Sequence, residues 1–163
     1  MENRRIIIGV MGGADVSVET EQLAFELGAL VAENGWTLLN GGRNAGVMRA
    51  SAKGAKSKGG LTIGILPTGN KKDANPFIDI PIVTNLSDAR NLVNVLSSDV
   101  IVACPGSAGT ITEVAMALKN NKPVVLLNFD LRPVFQEYVE NGLLKYTDSP
   151  AACIKLIKQI LTL

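Results

Sequence analysis

A chain of 163 residues with 47% hydrophobic content is long enough to bury the core of one domain. Its 16 basic and 15 acidic residues leave a formal charge of +1, which argues against the broad basic surface of a nucleic-acid or membrane-surface binder. Histidine is absent, which removes His triads, His metal ligands and imidazole acid-base chemistry; the two cysteines, Cys104 and Cys153, fit no disulfide framework or metal spacing and point to a reducing, cytoplasmic setting.

Residues 5–11 form the first apolar strand, a run too short for a signal peptide, and no later stretch is long enough to span a bilayer. The strand runs into the turn Gly9-Val10-Met11-Gly12-Gly13-Ala14-Asp15. Ser17 is placed to cap a helix over 18–33, whose apolar stripe is Leu23, Leu27, Leu30 and Val31 and whose stop is Asn34-Gly35. A strand over 37–40 leads to a second glycine-rich turn, Asn40-Gly41-Gly42-Arg43-Asn44-Ala45-Gly46, followed by a helix over 47–58 that ends at Gly59-Gly60. Strands follow at 61–66 and 78–83. Between them the Gly, Pro and Lys content of 67–76 reads as a mobile loop, either a lid or plain surface. A helix over 87–96 is expected to turn Leu92, Val93 and Leu96 inward. The strand 100–104 then meets a third small-residue turn, Pro105-Gly106-Ser107-Ala108-Gly109, and an Ala-rich helix ended by Asn120-Asn121. A strand at 123–128, a short helix at 132–141 and a closing helix at 151–161, started by Ser149-Pro150, complete the chain.

Alternating strands and helices, with no repeat and no linker, define an α/β class: residues 1–163 form a single Rossmann-like domain, a doubly wound, mainly parallel sheet with helices on both faces. In such a sheet the carboxyl ends of the strands share one edge, so the three glycine-rich turns converge there and form a site for a phosphorylated ligand. The Walker pattern is missing because no Gly-Lys-Ser/Thr occurs, and a GxGxxG fingerprint after the first strand is missing too. Gly12, Gly13, Gly41, Gly42 and Gly46 would let backbone approach the ligand. The amides of Gly106, Ala108 and Gly109 and the hydroxyls of Ser107 and Thr110 would hold its anion. Glu113 has two readings, ligand-facing carboxylate or the closing member of a capping box spelled by Thr110-Ile111-Thr112-Glu113. Arg90 is either a solvated helix residue or a fork for phosphate, and Arg43 faces the same choice. Cys104, Met11, Met48 and Met116 read as packing.

Pro105-Gly106-Ser107-Ala108-Gly109-Thr110-Ile111-Thr112-Glu113 resembles the P-G-G-x-G-T-x-x-E signature of the Lonely Guy phosphoribohydrolases, and Asn40-Gly41-Gly42 with Gly46-Val47-Met48 is similar to that family's G-G-G-x-x-G-L-M loop. The resemblance covers the first three quarters of the chain and implies a site for a nucleoside 5'-monophosphate, with Arg90 and Glu113 as the hydrolytic pair. Two departures stand out: the family's Arg-Lys pair is Arg90-Asn91 here, and its second signature glycine is Ser107. Ala89-Arg90-Asn91 together with Pro-Gly-Ser-Ala-Gly-Thr resembles instead the branch of molybdenum cofactor carrier proteins. That resemblance implies a non-enzymatic carrier of molybdopterin, with the molybdenum cofactor as cargo, no metal ligated by the protein, the binding set Gly12, Gly13, Asn40, Gly41, Gly42, Gly46, Arg90, Gly106, Ser107, Ala108, Gly109, Thr110 and Glu113, and a homodimer or homotetramer.

Overall fold

The computed structural model describes residues 4–162; residues 1–3, the head of the N-terminal stretch, and residue 163 lie outside the described residues. Seven strands, β1 (Ile7–Met11), β2 (Thr37–Asn40), β3 (Thr62–Leu66), β4 (Ile80–Val83), β5 (Val100–Ala103), β6 (Val124–Leu127) and β7 (Leu144–Thr147), pair in the order β4-β3-β2-β1-β5-β6-β7, every pair parallel. Six helices cover the sheet: α1 (Val18–Glu33), α2 (Gly46–Ser57), α3 (Arg90–Ser97), α4 (Ala108–Lys119), α5 (Gln136–Glu140) and α6 (Pro150–Ile160). The Rossmann-like expectation is therefore met, with a wholly parallel sheet.

Central strands are buried on both faces, and their alternate side chains feed two cores. Ile8, Val10, Val100, Val102 and Cys104 pack with α1, α2 and α6 residues such as Leu27, Val47 and Ile157. Met11, Ile101 and Ala103 point the other way and pack with Val95, Val114 and Leu118. Both cysteines are free and fully buried, and burial pushes the Cys104 thiol up to about 12 and Cys153 higher still. Ser17 and Ser149 cap α1 and α6 as expected, accepting from the amides of Thr20 and Ala152.

Three local expectations need correction. The strand β7 was not anticipated, because Leu-Lys-Tyr-Thr is short, half-buried in its middle and directly follows the turn at Gly142. The 67–76 segment is not a loose loop: it contains a 3₁₀ turn at Lys71–Asp73, and the buried Asn75 fastens it to the second glycine turn. The Asn75 backbone N–H donates to Gly42 O at 2.8 Å, its side-chain amide donates to Arg43 O at 3.2 Å, and Ala74 bridges Arg43. Finally, α3 is inverted relative to its expected orientation. Its buried residues are Arg90, Asn94 and Val95, while Leu92 and Leu96 face outward and only Val93 of the expected trio packs on the core. The polar face looks into the sheet edge because a cleft lies there.

Among the described residues, no helix is long and apolar enough to cross a membrane.

Candidate ligand-binding cleft

The chain steps outward from β1 to β4 on one side and resumes at β5 on the other, so strand order reverses between β1 and β5. Turns that follow neighbouring strands on either side of a reversal diverge and leave a crevice. Here it is a cleft of about 670 Å³. The three glycine-rich turns are stitched together behind it. Gly13 N–H donates to Pro105 O at 2.9 Å, and Val47 N–H, at the start of α2, donates to Gly13 O at 3.0 Å. The seams are tight: a Cβ on Gly106 would stand 2.8 Å from Gly13 N, and one on Gly46, whose φ is +45°, would collide with Gly13 O.

One wall is the start of α4. Ser107 occupies the N-cap position without its side chain capping, so the first amides of Ala108, Gly109 and Thr110 point into the cleft with the positive end of the helix dipole. Neither the Ser107 nor the Thr110 hydroxyl makes an intramolecular hydrogen bond among the described residues. Three free amides and two hydroxyls at an open helix start suit a phosphate.

The opposite wall is α3. Arg90 is 8% exposed, and its guanidinium lies over Gly41, where a Cβ would come within 2.8 Å of both terminal nitrogens and of Met48 Sδ. Its Nε has no hydrogen-bond partner, and no carboxylate among the described residues lies within 4.0 Å of it. Burial and the like charge of Arg43 pull its pKa down, while Glu113 and Asp88 hold it up. The reading of Arg90 as solvated is thus excluded by the structure; it is a buried cation facing a cleft.

Glu113 is not part of a capping box. Ser107, not Thr110, is the N-cap, and Glu113 Oε1 accepts from Asn94 Nδ2 at 3.0 Å across the α3–α4 contact. Burial, opposed by that bond and by Arg90, pushes its pKa up to about 7. Asn94 Oδ1 is buried without a donor. A protonated Glu113 can supply one; an ionised Glu113 cannot. Since the folded value lies above the unfolded 4.5, the folded state keeps a proton that the unfolded chain releases. Stability from this group is intact below about 4.5, falls as pH rises toward 7 and is level above it. Replacing Glu113 by Gln should flatten that fall. In urea titrations the variant is expected to gain roughly 3 kcal/mol over the parent between the two ends of the window. A difference independent of pH would exclude the raised pKa.

Of the expected binding residues, Gly12, Gly13, Gly41, Arg90, Ser107, Ala108, Gly109, Thr110 and Glu113 line the cleft, together with Arg43, Asp88 and Asn91. Asn40, Gly42, Gly46 and Gly106 stand behind it. Asn40 is fully buried: its side chain donates to Met48 O and Ser51 Oγ and accepts from Gly42 N–H at 2.8 Å, which holds the second turn in shape. Asn94 was missed by sequence reasoning; its spacing of four from Arg90 on one helix was the available signal.

Residues 5–154 match the family described as SLOG cluster4. Among solved structures, the molybdenum cofactor binding protein from the phototrophic bacterium Rippkaea orientalis is 50% identical, with a TM-score of 0.91 over 97% of this chain and 98% of that one. The molybdenum cofactor carrier protein of Chlamydomonas reinhardtii is 45% identical, with a TM-score of 0.89 over 98% and 100%. A cytokinin riboside 5'-monophosphate phosphoribohydrolase of Mycobacterium tuberculosis is 33% identical over 118 residues, which are 68% of this chain and 63% of that hydrolase.

Proposed function

The chain belongs to the SLOG cluster4 family, and from that membership and the cleft we propose that it binds and protects the molybdenum cofactor as a cytoplasmic carrier. The observation that carries this reading is the pairing of an uncapped helix start with a buried, unpartnered guanidinium on opposite walls of one cleft. A phosphorylated flat heterocycle satisfies both. Its phosphate lies against the amides of Ala108, Gly109 and Thr110 and the hydroxyls of Ser107 and Thr110, and the ring system lies along the backbone of Gly12, Gly13 and Gly41, which Val47, Val16 and Arg90 pack from behind. The two solved carriers, matched at 45–50% identity over nearly the whole chain, support the choice of cargo.

A nucleoside 5'-monophosphate phosphoribohydrolase is the second reading, favoured by the Mycobacterium relative and by Glu113 lying in the cleft. Glycosidic cleavage needs an ionised carboxylate beside the positive charge that grows on the ribose. Glu113 is held near half-protonation at pH 7, is tied to Asn94 and forms no ion pair with Arg90. That arrangement fits a carboxyl that binds better than one that stabilises a cation.

Incubation with a panel of nucleoside monophosphates is expected to release no free base, while the purified protein retains molybdenum cofactor through gel filtration. Turnover that disappears in Glu113→Ala would reverse the assignment. The outward Leu86, Leu92, Leu96 and Ile111, each at least 38% exposed, support a homodimer or homotetramer, to be read as mass by light scattering.

A further inference from the structure

The turn carrying Gly41 and Arg43 follows β2, and the start of α4 follows β5; β1 lies between them. Adjacent strands are 4.7–4.9 Å apart, so the backbone turn after β2 and the one after β5 stand about 10 Å from each other. One tetrahedral oxyanion does not bridge that distance. Arg90 belongs to the β2 side, since its terminal nitrogens crowd Gly41 and not Gly106. Arg43 lines the same cleft, and its charge acts on Arg90. Asp88 is the acidic group facing them, with Glu113 partly neutralised by its proton. Two guanidiniums against one full carboxylate leave this corner positive, and Arg90 Nε has a donor to give.

We infer that the cleft contains a second oxyanion seat, formed by Arg90 and Arg43 over Gly41 and separate from the phosphate seat at the start of α4. The inference deepens the carrier reading and rests on it: the cargo is gripped at both ends, by its phosphate on one side of β1 and by the oxyanionic metal end on the other. Between the seats, Met11, Met48 and Met116 line the floor. Thioethers are polarisable and adapt to a flat ring, so the middle of the ligand is held by contact and the ends by charge. A nucleoside monophosphate, anionic at one end only, fills half of such a site.

Equilibrium dialysis of the full chain against inorganic molybdate tests this directly. The expected result is about two bound oxyanions per chain. Arg90→Met should lose one of them and keep the other. Gly109→Asp should lose the other instead, because its new carboxylate lies at the α4 start, where a Cβ meets nothing within 4 Å and the fold is undisturbed. Arg43→Ala, at an exposed position, should weaken the Arg90-dependent seat about tenfold without touching the Gly109-dependent one. A single bound oxyanion, or loss of the same one in Arg90→Met and Gly109→Asp, overturns the second seat. The carrier reading fails separately: a protein with two molybdate seats that does not retain molybdenum cofactor refutes the cargo, and one that retains the cofactor with a single seat refutes only the second seat.

Discussion

Arg90→Met is expected to make the ligand-free protein more stable and the liganded protein much weaker, two effects of opposite sign from one side chain. Arg90 is 92% removed from solvent by its 8% exposure, has no ion pair among the described residues and leaves Nε without a partner. Replacing a buried ion by an apolar chain of similar length is neutral or stabilising by about 1–4 kcal/mol. The same change removes hydrogen bonds to an anionic ligand, each worth about 1.5–3 kcal/mol, so affinity should fall by a factor of roughly ten to one hundred and fifty. Thermal melts with and without cofactor read both effects. The variant's melting point should rise alone and its ligand-induced shift should shrink. A variant that melts lower and binds normally would mean that Arg90 serves the fold and not the cleft. Loss of its positive charge should also move Glu113 further toward the protonated form, since Arg90 now opposes the effect of burial there.

The second large effect lies far from the cleft. The helices α1 and α2 pack against each other through Gly28 and Gly54. A Cβ on Gly54 would run into the Phe25 carbonyl, with the carbonyl carbon only 2.7 Å away, and one on Gly28 would collide with the Ser51 carbonyl in the same way. Both obstacles are backbone, which cannot rotate aside. Gly54→Ala should therefore destabilise by about 1–3 kcal/mol through overpacking, even though alanine in a helix interior is favoured over glycine by about 1 kcal/mol. Gly109→Ala is the internal control: it is also helical, but its Cβ meets nothing within 4 Å, so it should be neutral or gain up to about 1 kcal/mol. Urea midpoints measure the pair. Equal shifts for the two variants would show that the helix seam tolerates a methyl group, against the geometry. Because α2 begins at Gly46 and is tied to Gly13 through Val47, a wedge at Gly54 should also disturb the cleft.

The sequence exposed the architecture because each strand reads as an uninterrupted apolar run and each crossover carries its own start and stop residues, as Ser17 and Asn34-Gly35 do for α1. The convergence of three glycine turns followed from parallel topology alone, and the Gly13–Pro105 and Gly13–Val47 bonds are its local form. What stayed hidden depends on contacts distant in sequence. Glu113 sits at capping-box spacing, yet Asn94, nineteen positions earlier, takes its carboxylate. Residues 67–76 have the composition of a free loop, and one amide at Asn75 reaching back to Gly42 and Arg43 removes that freedom. On α3 the hydrophobic period predicted an inward Leu92 and Leu96; the tertiary contacts reverse it, because the inward face borders the cleft at Arg90 and meets Glu113 of α4, which accepts a hydrogen bond from Asn94 that leucine could not give. Periodicity reports which side chains share a face, not which neighbour that face meets.

Cys104 and Cys153 lie sealed in the interior beneath this edge, their protons held well past neutrality. A cargo whose metal is bound through sulfur is vulnerable to rival thiolates, which displace ligands by exchange. This protein turns no thiol toward the cleft, since both of its cysteines are buried, so a ligand held there as proposed would leave without exchange at a cysteine. Release then becomes a matter of letting go of anions, with a rate that salt should accelerate and thiol-blocking reagents should leave unchanged.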